Sequence, residues 1–233
     1  MRRRSMMVGG AGLIGLAALH GRARAAAPPV AAELFTSQGC SSCPPADLLL
    51  GQLARQPSVV ALAWHVDYWN SLGWADPFSS RLATDRQRAY AARLGEAVYT
   101  PALVVGGARM VVGSDGPAID AALATLPPPP VEVAIALGND GLTASVAAAG
   151  RPVTALAALY DPQRETAVGR GENTGRRLTE YRIVRAAHPL GAWDGGARTL
   201  SLPDVPAGQG IAVLVQDDRL RVVGVADLRP PLA

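Results

Sequence analysis

The chain has 233 residues, enough for one large core or two small ones, and its 49% hydrophobic and 18% charged composition excludes a disordered polymer. All 22 basic residues are Arg, and five of them fall in the first 25 positions, where there is no Asp or Glu. The remainder carries 17 Arg against 19 acidic residues, a formal charge of −2 that excludes electrostatic attraction to nucleic acid or to an anionic membrane as its basis of action.

Residues 1–25 read as an export signal: a basic start at Arg2-Arg3-Arg4, a short apolar run from Met6 to Leu19, and a small-x-small cleavage pattern at Ala23-Arg24-Ala25. The run falls short of the ~20 apolar residues that a membrane-spanning helix needs. The expected destination is the periplasm or the exterior, with no membrane attachment after cleavage, and disulfides persist there.

Val30 to Phe35, apolar except for Glu33, predicts a buried strand. Pro44-Pro45 opens a helix through Arg55, since a first turn tolerates residues that lack N–H groups. Val59 to Val66 is a second strand, and an aromatic, Gly- and Pro-containing stretch follows to Phe78. A helix is expected from Ser80 to Leu94, a hairpin from Ala102 to Val112 around Gly106-Gly107, and a helix from Pro117 to Leu126 capped by Ser114 or Asp115.

The four-proline run Pro127 to Pro130 stiffens the chain and places a boundary between segments 28–126 and 131–233. Beyond it, seven short strands are expected: Val131 to Leu137, Leu142 to Ala147, Val153 to Tyr160, Tyr181 to Arg185, Thr199 to Leu202, Ile211 to Gln216 and Arg221 to Ala226. That pattern predicts a small β-sandwich-like unit.

Chemistry concentrates at Gln38-Gly39-Cys40-Ser41-Ser42-Cys43-Pro44-Pro45, which holds the only two cysteines. A structural zinc site needs four ligands, and no second ligand pair is present. As a staple, a bridge across two intervening residues closes too short a loop to contribute much. A redox dithiol fits better. Cys40 just before a helix is the expected exposed, attacking thiol, because the helix N-terminus stabilises a thiolate, and Cys43 is the resolving thiol. Ser41 and Ser42 offer hydroxyls to the thiolate.

His65 and Asp67 end the second strand on the same edge. They are candidates for proton relay, although the simpler reading is that they tie the aromatic loop to the sheet. Trp69 and Trp74 either line a substrate groove or pack. No cofactor is implied. Two other readings stay open: a copper carrier using Cys40, Cys43 and His65, and a binding module in which the dithiol only holds the helix start. The Gly- and Arg-rich stretch Arg170 to Arg177 reads as a turn whose Arg side chains cap carbonyls or pair with acids.

The segments Glu33-Leu34-Phe35-Thr36-Ser37-Gln38-Gly39-Cys40-Ser41-Ser42-Cys43-Pro44-Pro45-Ala46-Asp47, His65-Val66-Asp67-Tyr68-Trp69, Leu72-Gly73-Trp74, Tyr99-Thr100-Pro101, Arg170-Gly171-Glu172-Asn173-Thr174-Gly175-Arg176 and Leu190-Gly191-Ala192-Trp193 together resemble a family of secreted bacterial proteins of unknown function classed as thioredoxin-like. Asn70 departs from the Asp more usual there. The resemblance covers nearly the whole exported chain and implies an α/β, thioredoxin-like first domain. It also implies that Pro101 is cis and faces the dithiol, and that Thr100 offers backbone groups to a substrate chain. The implied partners are a protein or small-molecule thiol or disulfide and a redox recycling partner.

Overall fold

The computed structural model describes residues 27–138 and 141–230, so the expected export signal lies outside the described residues. Strands β1 (Val30–Thr36) and β2 (Val59–His65) pair in parallel, from Val30 opposite Val59 to Thr36 opposite His65. Alternate side chains point to opposite faces. Ala32, Leu34, Ala61 and Ala63 pack under helices α1 (Pro44–Leu53) and α3 (Gly116–Thr125). Ala31, Phe35, Leu62 and Trp64 face α2 (Arg81–Leu94), which contributes Ala83 and Tyr90. Burial on both faces is why these strands read as nearly continuous apolar runs.

The helix boundaries follow local chemistry. Pro44 and Pro45 occupy the first turn of α1. The Ser80 hydroxyl accepts the Ala83 N–H at 3.2 Å and caps α2, and Gly95 closes that helix at φ 72°. Asp115 caps α3 through the Ala118 N–H at 3.0 Å. Strand β3 (Ala102–Val105) runs antiparallel to β1 and turns through Gly106 and Gly107 into β4 (Arg109–Val112). Both glycines take positive φ, 59° and 64°, which a tight hairpin requires.

The second segment is rich in strands, as expected, but its strands are shared between two sheets. Strands β7 (Val153–Ala167), β8 (Arg177–Trp193), β10 (Gly210–Gln216) and β11 (Val222–Leu228) extend the sheet of the first segment, giving the order β11-β10-β7-β8-β2-β1-β3-β4. The joint is a short parallel contact of Ile183 with Ala63, reinforced by Arg182 Nε donating to the Ala61 carbonyl at 2.9 Å. Strands β5 (Val133–Gly138), β6 (Gly141–Val146) and β9 (Arg198–Ser201) form a separate sheet. It packs Ala144, Val146 and Leu200 against Val153, Val213 and Val223 of the large sheet, so the sandwich-like layer is built with the extended sheet.

Two strands are far longer than expected. β7 runs on through Ala167 and β8 begins at Arg177, because the residues from Asp161 to Ala167 pair with those from Ile183 back to Arg177. Ladder hydrogen bonds come from the backbone, so exposed polar side chains do not end the hairpin. Its tip, residues 168–176, reaches the cysteine motif.

Candidate functional site

Cys40 and Cys43 form a disulfide with their Cα atoms 5.4 Å apart. β1 ends at Thr36, and a turn follows in which the Ser37 carbonyl accepts the Cys40 N–H at 3.1 Å. Cys43 is the N-cap of α1, and its carbonyl accepts the Ala46 and Asp47 N–H groups at 2.8 and 3.1 Å. The Ser42 hydroxyl lies 3.3 Å from the Cys40 sulfur, and Ser41 and Ser42 are exposed. Cys40 itself does not have the expected exposure: both cysteines are 0% exposed.

The cover is the β7–β8 hairpin tip. Asn173 Nδ2 donates to the carbonyls of Gln38 at 3.0 Å and Cys40 at 2.9 Å. Arg176 holds Asn173 by donating to its Oδ1 at 3.2 Å. The exposed Glu172 carboxylate accepts the Ser41 N–H at 3.0 Å, and hydrogen bonds from Ser41 keep its pKa below the ordinary value. Gly171, at φ 75°, lies against Trp74, and a Cβ there would come within 3.1 Å of the Trp74 Cβ. Trp74 Nε1 donates to Gln38 Oε1 at 3.0 Å, and Gln38 Nε2 donates to Glu180 at 2.7 Å and Thr166 at 3.0 Å. The carbonyl-capping residue of this tip is therefore Asn173, with an Arg as its support.

The Thr100–Pro101 bond is cis, and Pro101 is buried at the start of β3. Half-buried Trp69 joins this turn to the dithiol loop. Its indole N–H donates to the Thr100 hydroxyl at 2.9 Å, and its Cβ lies where a Cβ on Gly39 would be 3.0 Å away. Asp67 turns elsewhere: its carboxylate accepts the Thr84 hydroxyl at 2.5 Å, and its N–H donates back to that oxygen at 3.0 Å. It fastens α2 to the end of β2.

His65 ties the aromatic loop to the sheet through a 2.7 Å bond between its Nδ1 and Asp76. Asp76 also accepts the Gln38 N–H at 2.9 Å. The same histidine belongs to a buried cluster beside α1, with Thr36, Asp47 and Glu180. Burial alone pushes the imidazole down, but Asp76, Glu180 and Asp47 around it raise it to about 9. Burial pushes the Asp47 carboxyl up to about 7 and also raises Glu180, whereas Asp76 is drawn down against its own burial by the His65 charge and hydrogen bonds. His65 Nε2 is 3.8 Å from Glu180 Oε1. Those two atoms, Asp47 Oδ1 and Thr36 Oγ1 are buried with no hydrogen-bond partner. Among the described residues no three His, Cys, Asp or Glu side chains are grouped to hold a metal, so Cys40, Cys43 and His65 do not gather as a copper site.

Sequence reasoning singled out the dithiol, Trp69 and the Thr100–Pro101 turn, which the structure brings together. It missed Asn173 and Glu172 as the cover and Asp47, Asp76 and Glu180 as the buried acids. One signal was available for Asp47: it falls four residues after Cys43, on the apolar face that continues to Leu50.

Residues 31–216 match the family described as "Protein of unknown function (DUF1223)". Among solved structures, protein AGR_C_4864 from Agrobacterium tumefaciens is 31% identical, with a TM-score of 0.79 over 89% of this chain and 96% of that one. HBP35 of Porphyromonas gingivalis is 14% identical, with a TM-score of 0.59 over 89% of this chain and 78% of that one, a likeness of fold alone. No curated protein matches the chain.

Proposed function

This chain belongs to the DUF1223 family, so its activity has to be read from its own site, and we propose that it is an exported thiol–disulfide oxidoreductase with a thioredoxin-like core and Cys40–Cys43 as its redox pair. The observation that carries this reading is a disulfide closed across the turn between the C-terminal end of β1 and the N-terminus of α1, with Trp69 linking that turn to Thr100–Pro101. On reduction, the dipole of α1 and the Ser42 hydroxyl, 3.3 Å from the sulfur, favour a thiolate at Cys40, the condition for disulfide exchange. Export supplies the compartment in which the oxidised pair persists.

Burial of Cys40 adds one requirement: the hairpin tip must lift before a substrate sulfur can reach it. The hold is light. It consists of the Asn173 amide on two carbonyls and one exposed carboxylate, with Trp74 underneath. Asn173→Ala, which removes both carbonyl contacts, is expected to speed reduction of the disulfide by dithiothreitol several-fold.

The deciding experiment incubates the purified chain with a peptide dithiol and follows thiol loss, alongside a Cys43→Ser variant in which mixed disulfides accumulate. The expected results are stoichiometric transfer of oxidising equivalents and covalent capture through Cys40. A disulfide that never equilibrates with small or peptide thiols in either chain, Asn173→Ala included, removes the proposal.

A further inference from the structure

We propose that the β7–β8 hairpin tip occupies the place of a substrate chain, and that the substrate is a peptide or protein segment with an acidic residue directly before its cysteine. This rests on the thiol–disulfide reading above and names the substrate class of that same site.

The geometry starts from what the tip touches. Three hydrogen bonds close it over the motif, and all three go to main-chain groups. The Glu172 carboxylate accepts the Ser41 N–H at 3.0 Å, and the Asn173 amide donates to the carbonyls of Gln38 at 3.0 Å and Cys40 at 2.9 Å. Main-chain donors and acceptors beside a reactive residue are the groups by which an extended partner chain is held. Asn173 is only 1% exposed, so its contact with Cys40 is sheltered from water in the same way.

The composition of the tip points to exchange with another chain. Residues 169–176 read Gly-Arg-Gly-Glu-Asn-Thr-Gly-Arg, with no apolar side chain among them. A permanent cover over a disulfide would bury apolar surface, because that burial is the main source of hold. A polar tip is as well solvated when lifted as when docked. It also keeps its own shape. The Thr174 hydroxyl donates to the Gly171 carbonyl at 2.5 Å, the Gly175 N–H to the Val168 carbonyl at 2.9 Å, and the Arg176 N–H to the Asn173 carbonyl at 3.1 Å. The last ladder pair is Ala167 with Arg177, so the tip can leave the motif without unpairing the hairpin.

The identity of the docked residues gives the substrate its chemistry. Ser41 holds Glu172 below the ordinary carboxylate pKa, so the seat favours an anion over a neutral acceptor. In the tip the acid comes first, on Ser41, and the next residue lies against Cys40. A substrate that keeps this order sets its acid on Ser41 and brings its cysteine to the Asn173 position. Attraction to the chain as a whole would give the reverse preference, because its 17 Arg and 19 acidic residues after position 25 leave a formal charge of −2.

Two measurements on the mature chain test the proposal. In the first, wild type oxidises short peptide dithiols that differ only in the residue before the attacking cysteine. The kcat/KM is expected to be about 10-fold higher for Gly-Glu-Cys than for Gly-Ala-Cys, and lowest for Gly-Lys-Cys. The second needs no redox chemistry. The oxidised Glu172→Gln/Asn173→Ala double variant, whose tip has lost its hold, is titrated with the cysteine-free peptides Gly-Glu-Ser and Gly-Ala-Ser while the Ser41 amide resonance is followed. A saturable shift is expected with the Glu peptide, at least several-fold tighter than with the Ala peptide. Equal rates across the series, or equal responses of Ser41 to the two peptides, overturn the assignment. Failure of wild type to exchange with any of the peptide dithiols instead overturns the oxidoreductase reading, while the Ser41 titration still decides the seat.

Discussion

Two charged networks lie on opposite faces of the same pair of strands, and they are built in opposite ways. On the α2 face, Glu33 receives Arg86 through two bonds, at 2.6 and 3.0 Å, and the Tyr90 hydroxyl at 2.5 Å. Arg86 also donates to Gln216 at 3.1 Å and to Tyr90 at 3.0 Å, and its guanidinium lies 5.0 Å from the ring centres of Trp64 and Tyr90. Gln216 completes the set by donating to Tyr90 and to the Leu220 carbonyl. Glu33, Arg86, Tyr90 and Gln216 leave no buried side-chain oxygen or nitrogen without a partner, although the Trp64 indole N–H beside Arg86 lacks one. On the α1 face, Thr36, Asp47, His65 and Glu180 each keep one polar atom unpartnered. A saturated network fixes geometry, because every displacement breaks a bond. An unsaturated one beside the disulfide leaves buried polar atoms uncompensated, at a cost in stability.

Mutation separates the two. The largest effect is expected for Arg86→Ala, which leaves the buried Glu33 carboxyl without its charge partner and costs about 3–5 kcal/mol in urea unfolding at neutral pH. Asp47→Asn has the opposite sign. The Asp47 carboxyl titrates at about 7 in the fold against 3.8 for an ordinary one, so the folded chain holds an extra proton across that window and loses stability as pH rises through it. Asn removes that penalty. The variant is expected to gain on the order of 1–3 kcal/mol over wild type at pH 8 and nothing at pH 3.5, read from paired unfolding curves. The smallest effect, about 1 kcal/mol of destabilisation, is expected for Tyr90→Phe, which removes one hydroxyl shared by Glu33, Arg86 and Gln216. Equal and same-signed losses for Arg86→Ala and Asp47→Asn at pH 8 abolish the distinction.

Glu33 shows how far sequence reaches here. A lone acid in the strand Val30–Thr36 is visible as an anomaly, yet its partner lies 53 residues away on helix α2. Asp67 is the converse. Its position at the end of β2 pointed to the dithiol edge, but the side chain follows the turn into α2 and meets Thr84. The cover over Cys40 was hidden for a further reason. Asn173 is 133 residues from Cys40, and its reach depends on β7 and β8 pairing well past their apolar centres. Backbone ladders carry that pairing, and side-chain alternation does not record it.

The sequence by itself determined the elements from β1 to α3, the proline start of α1, the Ser114 or Asp115 cap of α3, and the placing of a dithiol at the mouth of α1, because each rests on periodicity, proline and capping chemistry within a few residues. Only the tertiary structure decided that β8 would join β2, that the β7–β8 tip would close over the cysteines, and that four polar atoms would converge unpartnered beside α1. Those outcomes depend on contacts between residues more than 100 positions apart, where burial and backbone pairing over the whole chain compete, and no local pattern carries their result.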